Sequence, residues 1–183
     1  MKRKTAKEVL ADTFREIAEY KPVDKITVND ITENSGYSTA TFYRQFKDKY
    51  DLIAWDYTRD LERILKQSVE GKASWTQRLS GAAEYYDSHK NYLANLLLNT
   101  TGYDSFLRYM SEIHYGILTD LLLNAAGKDE TDPETAMLIR TYSLGTVAIT
   151  CEWILGKFPV SADVLKQVYE KSFPTALTAF IKL

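Results

Sequence analysis

No segment narrows the possible architecture of this chain as far as ITVNDITENSGYSTATFYRQFKDKYDL, residues 26–52. It reads as two short helices joined by a tight turn. Thr27 stands where a first helix needs its cap, Asp30 completes a capping-box-like pair three residues on, and Val28 and Ile31 supply an apolar edge. Gly36 falls where that helix has to stop, because glycine enters the left-handed region at a helix C-terminus without steric cost. Ser38 or Thr39 then caps a second helix in which Phe42 and Phe46, one turn apart, face inward. Thr39, Ala40, Thr41, Tyr43 and Arg44 are left outward. They form a small polar surface followed by an aromatic hydroxyl and a cation, a shape suited to entering a major groove and reaching phosphates at its edges.

This stretch resembles the DNA-binding helix-turn-helix of the TetR family of bacterial regulators, where a sequence like TV-x-DI, G-x-S, TFY-x-x-F, K-x-x-L recurs. Val28, Asp30, Ile31, Gly36, Ser38, Phe42, Tyr43, Phe46, Lys49 and Leu52 stand at matching places. Two packed helices of an ordinary all-α domain would not call for the T-x-x-D pair, the Gly-Tyr-Ser turn and the TFYRQF run together. The resemblance implies a DNA-facing set of Thr27, Ser38, Thr39, Ala40, Thr41, Tyr43, Arg44 and Lys49. Thr39, Ala40, Thr41 and Tyr43 would enter the groove, while Thr27, Tyr43, Arg44 and Lys49 would rest on phosphates.

The rest of the chain fits an all-α fold in two parts, a DNA-binding domain over residues 1–49 and a helical effector-binding and dimerisation domain over 50–183. Eight glycines and four prolines in 183 residues, with no sustained strand-like alternation, argue for helices throughout. The net charge of −2 is unevenly spread: residues 1–50 hold ten Lys or Arg against eight Asp or Glu, and residues 51–183 thirteen against seventeen. A phosphate-facing head on an acidic body follows from that asymmetry. Lys2, Arg3 and Lys4 form the densest basic cluster, either an arm for phosphates and the minor groove or a solubilising terminus. A single cysteine, Cys151, and the absence of a signal peptide or a long apolar run point to a cytoplasmic protein with no membrane partner.

In chain order, Thr5 and Glu8 open a first helix that runs to about Tyr20, before Pro22. A long helix is expected from Lys49 to about Val69, stopped by Gly71, with Leu52, Ile53, Trp55, Asp56, Leu61, Ile64 and Leu65 on its inner stripe. Lys49 at its start is placed for a phosphate. Ser74 caps the next helix, Asn91–Asn99 forms a short one, and Tyr103–Asn124 a further one whose inward residues include Phe106, Leu107, Met110 and His114. Aromatic side chains with polar tips crowd this region. One reading is a cavity for an unknown small-molecule effector, lined by some of Trp75, Tyr86, Tyr92, Met110 and His114; the other is a tyrosine-rich core whose hydroxyls reach the surface.

Asp132, Pro133 and Glu134 start a helix, and Ser161 starts another that Pro174 kinks or divides. These two are apolar around more of their circumference than one small body can cover, so they are expected to pack against a second copy as a four-helix homodimer interface. Tyr142, Gly145, Trp153 and Gly156 also resemble the C-terminal pattern of the TetR subgroup that includes dihydroxyacetone-kinase regulators. His89, His114 and Cys151 have no metal-ligand spacing, and neither a phosphate loop nor a nucleophile elbow is present, so no metal, cofactor or enzymatic activity is expected. The resulting expectation is a homodimeric regulator on a palindromic operator in double-stranded DNA, a repressor as is usual for the family, released by its effector. A helical ligand-binding or adaptor protein without DNA-binding activity is the alternative.

Overall fold

The computed structural model describes the backbone of residues 4–66, 74–102 and 105–180, and the side chains of these apart from 65, 66, 179 and 180. Lys2 and Arg3, the expected helix end at Val69 and Gly71, and Tyr103 lie outside the described residues, as do the side chains of Leu65 and Phe180. Nine α-helices occur among the described residues, and no strand.

The head is three helices: α1 (Ala6–Ala18), α2 (Val28–Ser35) and α3 (Thr39–Gln45). The α1 helix opens on the Thr5 and Glu8 capping box and buries Leu10, Phe14 and Ile17 on one stripe. Against that stripe pack Ile31 of α2 and Phe42 of α3, both fully buried. Phe46 is buried as expected, but it lies just past the end of α3 in extended conformation, φ −140° and ψ 142°. Its ring meets Phe42 at 5.8 Å and Trp55 at 5.7 Å.

The α4 helix (Lys49–Lys66) carries the chain from head to body. At about 1.5 Å per residue it spans roughly 27 Å. Leu52 and Ile53 are buried near its start, Tyr57 and Leu61 farther along. The body is α5 (Trp75–Ser88), α6 (Lys90–Asn99), α7 (Phe106–Ala126), α8 (Pro133–Ile154) and α9 (Ala162–Ser172), followed by a 3-10 segment at Thr175–Phe180. Ser74 and Asp132 cap α5 and α8 through their side chains, whereas Ser161 stands at the cap of α9 without a side-chain bond. Pro174 divides the C-terminal helix, since proline has no backbone N–H to continue the ladder.

The α7 register differs from expectation at one place: Leu107 is 45% exposed, because Phe106 and Met110 take the inward stripe. The α8 and α9 pair also leaves apolar side chains outside, with Met137 70%, Leu144 45%, Val164 41% and Val168 43% exposed.

Candidate nucleic-acid interface and effector cavity

Local sequence sets the geometry of the turn. The Thr27 hydroxyl accepts the Asp30 backbone N–H at 3.1 Å and donates to the Asp30 carboxylate at 2.8 Å, while that carboxylate accepts the Thr27 N–H at 2.7 Å. Lys21 adds an ion pair at 2.7 Å and, with the Thr27 donors, holds the Asp30 carboxyl down to about 2. Gly36 ends α2 at φ 72°, where a side chain would be strained. Ser38 caps α3 by accepting the Thr41 N–H at 3.2 Å, and its hydroxyl also bonds that of Thr41 at 3.0 Å.

The two capping arrangements leave a defined outward face on α3. Thr39, Ala40, Tyr43 and Arg44 are exposed, Thr41 is half-buried and Thr27 is exposed at the start of α2. Tyr43 stands 57% exposed, its ring edge-on to Phe42 at 5.5 Å, so the aromatic base is anchored while the hydroxyl is free to reach out.

Lys49 is placed otherwise than a phosphate contact requires. Its ammonium donates to the carbonyls of Val23 at 2.8 Å, Asp24 at 3.1 Å and Ile26 at 2.9 Å, which takes up its three protons. Burial lowers its pKa. Lys49 therefore ties the start of α4 to the segment before α2. Lys49→Met keeps the apolar stem and should cost about 2 kcal/mol of stability through the lost charge-assisted bonds. The slope of DNA affinity against salt should not change, whereas a lost phosphate contact would reduce it by about one ion. Urea denaturation and a salt titration check the two effects.

A second tie joins head to body. Asn95 of α6 donates to the carbonyls of Ala18 at 2.6 Å and Lys21 at 2.9 Å, and accepts the Val23 N–H at 3.0 Å. Beside it, Arg15 of α1 reaches Asp56 at 2.7 Å and Asp60 at 2.5 Å. Arg59 joins Asp56 at 2.8 Å, and the Tyr92 hydroxyl donates to the same carboxylate at 3.3 Å. Burial pushes the Asp56 carboxyl up, and the Arg15 and Arg59 guanidiniums pull against it.

The body encloses a cavity of about 50 Å³ between α4, α5, α7, α8 and α9. Of the five side chains expected around an effector, Trp75, Tyr86 and His114 line it. Tyr92 and Met110 are not among its walls. Tyr92 is drawn instead to the Asp56 carboxylate, and Met110 is fully buried against Cys151, sulfur to sulfur at 3.7 Å. Burial raises the Cys151 thiol to about 12, which leaves it a core group. Ser143, Thr146, Tyr142 and Tyr169 from α8 and α9 complete the polar part of the wall. His114 Nε2 lies 2.8 Å from both the Tyr57 and Tyr86 hydroxyls, which are 3.1 Å apart. Burial takes the His114 imidazole down to about 4, so the ring is neutral at pH 7. Tyr57 escapes sequence reasoning because its periodicity is that of any core tyrosine. Asp56 carried a usable signal, a carboxylate on an otherwise apolar stripe.

Residues 9–54 match the family model described as bacterial regulatory proteins, tetR family. Over this segment the chain is similar to the N-terminal helix-turn-helix domain of the TetR family. The dhaKLM operon transcriptional activator DhaS of Lactococcus lactis is 19% identical over 151 residues, 81% of this chain and 79% of its own. A solved structure of a dihydroxyacetone kinase operon activator DhaS superposes with a TM-score of 0.64 at 18% identity, covering 96% of this chain and 95% of the other. A TetR regulator from Rhodococcus sp. gives 0.65 at 14% identity, over 92% and 95%. At these identities the structural likeness establishes the fold: an all-α TetR architecture with an N-terminal helix-turn-helix. Among the described residues no helix is long and apolar enough to cross a membrane, and no group of three or more His, Cys, Asp or Glu is placed to hold a metal ion.

Proposed function

We propose that this TetR-type regulator acts as a cytoplasmic homodimer, with residues 1–49 reading DNA and residues 50–183 binding an effector and pairing with the second copy. The observation that carries this reading is the outward face of α3. Four exposed residues, Thr39, Ala40, Tyr43 and Arg44, are held on a helix that is anchored in the core by the buried Phe42. Thr39 and Ala40 enter the major groove, where short side chains meet thymine methyls or make single hydrogen bonds, and Tyr43, Arg44 and Thr27 rest on phosphates. Ser38 and Thr41 shape the helix start by bonding each other. Few bidentate readers are present, so sequence-dependent DNA shape contributes to specificity.

Two copies place two such helices on half-sites one helical turn or a multiple apart, which makes the operator palindromic. Effector binding among α5, α7 and α8 weakens DNA binding when it favours a different spacing of the two heads. The expectation of repression rests on the family resemblance alone, and the Lactococcus relative is named an activator.

Selection of bound sequences from a random duplex pool tests the reading. An enriched palindrome is expected, and no enrichment over the input pool would end it. Tyr43→Ala should weaken binding about ten- to hundredfold and almost equally across sequences, as loss of a phosphate contact does. Thr39→Ala should instead relax the preference at one position of each half-site. Both are read by competition binding on the selected operator.

A further inference from the structure

We infer that the body cavity takes a small uncharged molecule with an apolar skeleton and one hydrogen-bond-accepting oxygen, of the ketone or aldehyde class. The inference deepens the effector site of the proposed regulator and rests on that reading for its biological meaning, though not for its test. Its ground is the polar bookkeeping of the cavity wall.

Most polar groups on the wall have their protons committed. The Tyr142 hydroxyl donates to the Tyr169 carbonyl at 2.9 Å, the Thr146 hydroxyl to the Tyr142 carbonyl at 2.8 Å, and the Tyr169 hydroxyl is paired with Thr150. Two groups are not committed. The Ser143 hydroxyl, on a residue 2% exposed, makes no hydrogen bond with the described residues. The Trp75 indole N–H, on a residue 5% exposed, lies near the Tyr142 hydroxyl without reaching a hydrogen bond. A third donor comes from the His114 cluster. Its two hydroxyls and one ring nitrogen form three edges, and however the protons are arranged at most two edges are filled; when Nε2 carries a proton one tyrosine O–H is left over, and it is that of Tyr86, on the cavity wall, in the arrangement where Nε2 donates to Tyr57.

An indole nitrogen donates only, and its unmet partner must therefore accept. Burying an unsatisfied donor is costly, so an acceptor oxygen that reaches Trp75 or Ser143 recovers part of that loss. Among the described residues no Lys, Arg, Asp or Glu lines the cavity, and the one imidazole is neutral, so a carboxylate, phosphate or amine would meet no counter-charge from them. The remaining wall is Leu61, Leu79, Ala82, Ile117, Leu118 and Leu121, which suits a hydrocarbon skeleton. The volume of about 50 Å³ favours a compact ligand, since benzene occupies a cavity of about 150 Å³.

Three isosteric probes of four non-hydrogen atoms, the smallest such set with a ketone, separate the possibilities: propanone, 2-methylpropene and acetate. Each is titrated into the ¹⁵N-labelled full chain without DNA, following the Trp75 indole N–H resonance assigned by its loss in Trp75→Phe. The Trp153 N–H, already bonded to the Val160 carbonyl at 2.8 Å, serves as the internal control. Propanone should shift the Trp75 signal saturably and bind about tenfold tighter than the alkene or the carboxylate. Ser143→Ala, read on the Trp75 signal, should reduce the preference for ketone over alkene while alkene affinity stays. Equal binding of ketone and alkene, tighter binding of acetate, or no saturable shift with any probe would each overturn the inference. The DNA selection is independent: a palindrome without ketone binding defeats only the ligand class, and ketone binding without a palindrome defeats only the regulator.

Discussion

Asp56→Ala is expected to be among the most damaging single substitutions in this chain, costing about 3–5 kcal/mol of folding free energy. Asp56 is fully buried and accepts from Arg15 Nε at 2.9 Å, Arg15 and Arg59 side-chain nitrogens at 2.7 and 2.8 Å, and the Tyr92 hydroxyl. Its removal leaves Arg15, whose side chain is only 18% exposed, with Asp60 as its remaining acidic partner, and leaves the Tyr92 hydroxyl unsatisfied. Against a total stability of about 5–15 kcal/mol this is a large fraction, worth roughly 10 °C in the melting temperature. The penalty comes from stranding charge rather than from losing a favourable pair. The triple variant Arg15→Met, Asp56→Leu and Asp60→Leu should therefore recover at least half of it, because it removes Arg15 together with both of its buried carboxylate partners, and an apolar replacement of a whole buried ion cluster is close to neutral. Urea denaturation of the two variants checks both statements, and a triple variant no more stable than Asp56→Ala would refute the charge argument.

That cluster also shows which parts of the molecule local sequence announces. Helix starts are local: Thr5 with Glu8, Thr27 with Asp30, Ser74 with Gln77, and Asp132 before Pro133 each satisfy backbone N–H groups within one turn, so spacing alone places them. The Gly36 turn and the inward Phe42 and Phe46 follow from the same short-range rules. The ties that assemble the domains are different. Asn95 bonds groups 72 to 77 residues away, and Lys49 finds carbonyls 23 to 26 residues back. A cation at a helix start is equally consistent with a phosphate and with buried carbonyls until the chain is folded around it. The effector set divided for a similar reason. Trp75, Tyr86 and His114 meet across a cavity, while Tyr92, with the same chemistry, is claimed by a carboxylate on α4 that its own sequence neighbourhood does not reveal.

Val168→Glu is expected to have the largest effect on DNA binding while leaving the isolated protomer folded. Val168 is 43% exposed on α9 and lines a groove of about 310 Å³ against Thr141, Gly145 and Ile149 of α8. The exposed Met137, Leu144 and Val164 continue this apolar surface. In a single protomer a glutamate there meets water and costs little. In a two-fold assembly the substitution occurs twice and buries two carboxylates of one sign near the axis, each with a desolvation penalty of several kcal/mol. The dimer dissociation constant should rise at least about a hundredfold. Operator affinity should fall with it, because the second head then binds from free solution instead of at the high effective concentration set by its twin. Leu98→Glu, on a residue 66% exposed on α6, should alter neither property. Sedimentation velocity and operator titration on both variants read the result. A Val168→Glu protein that stays dimeric and binds the operator normally would show that α8 and α9 do not join the two copies.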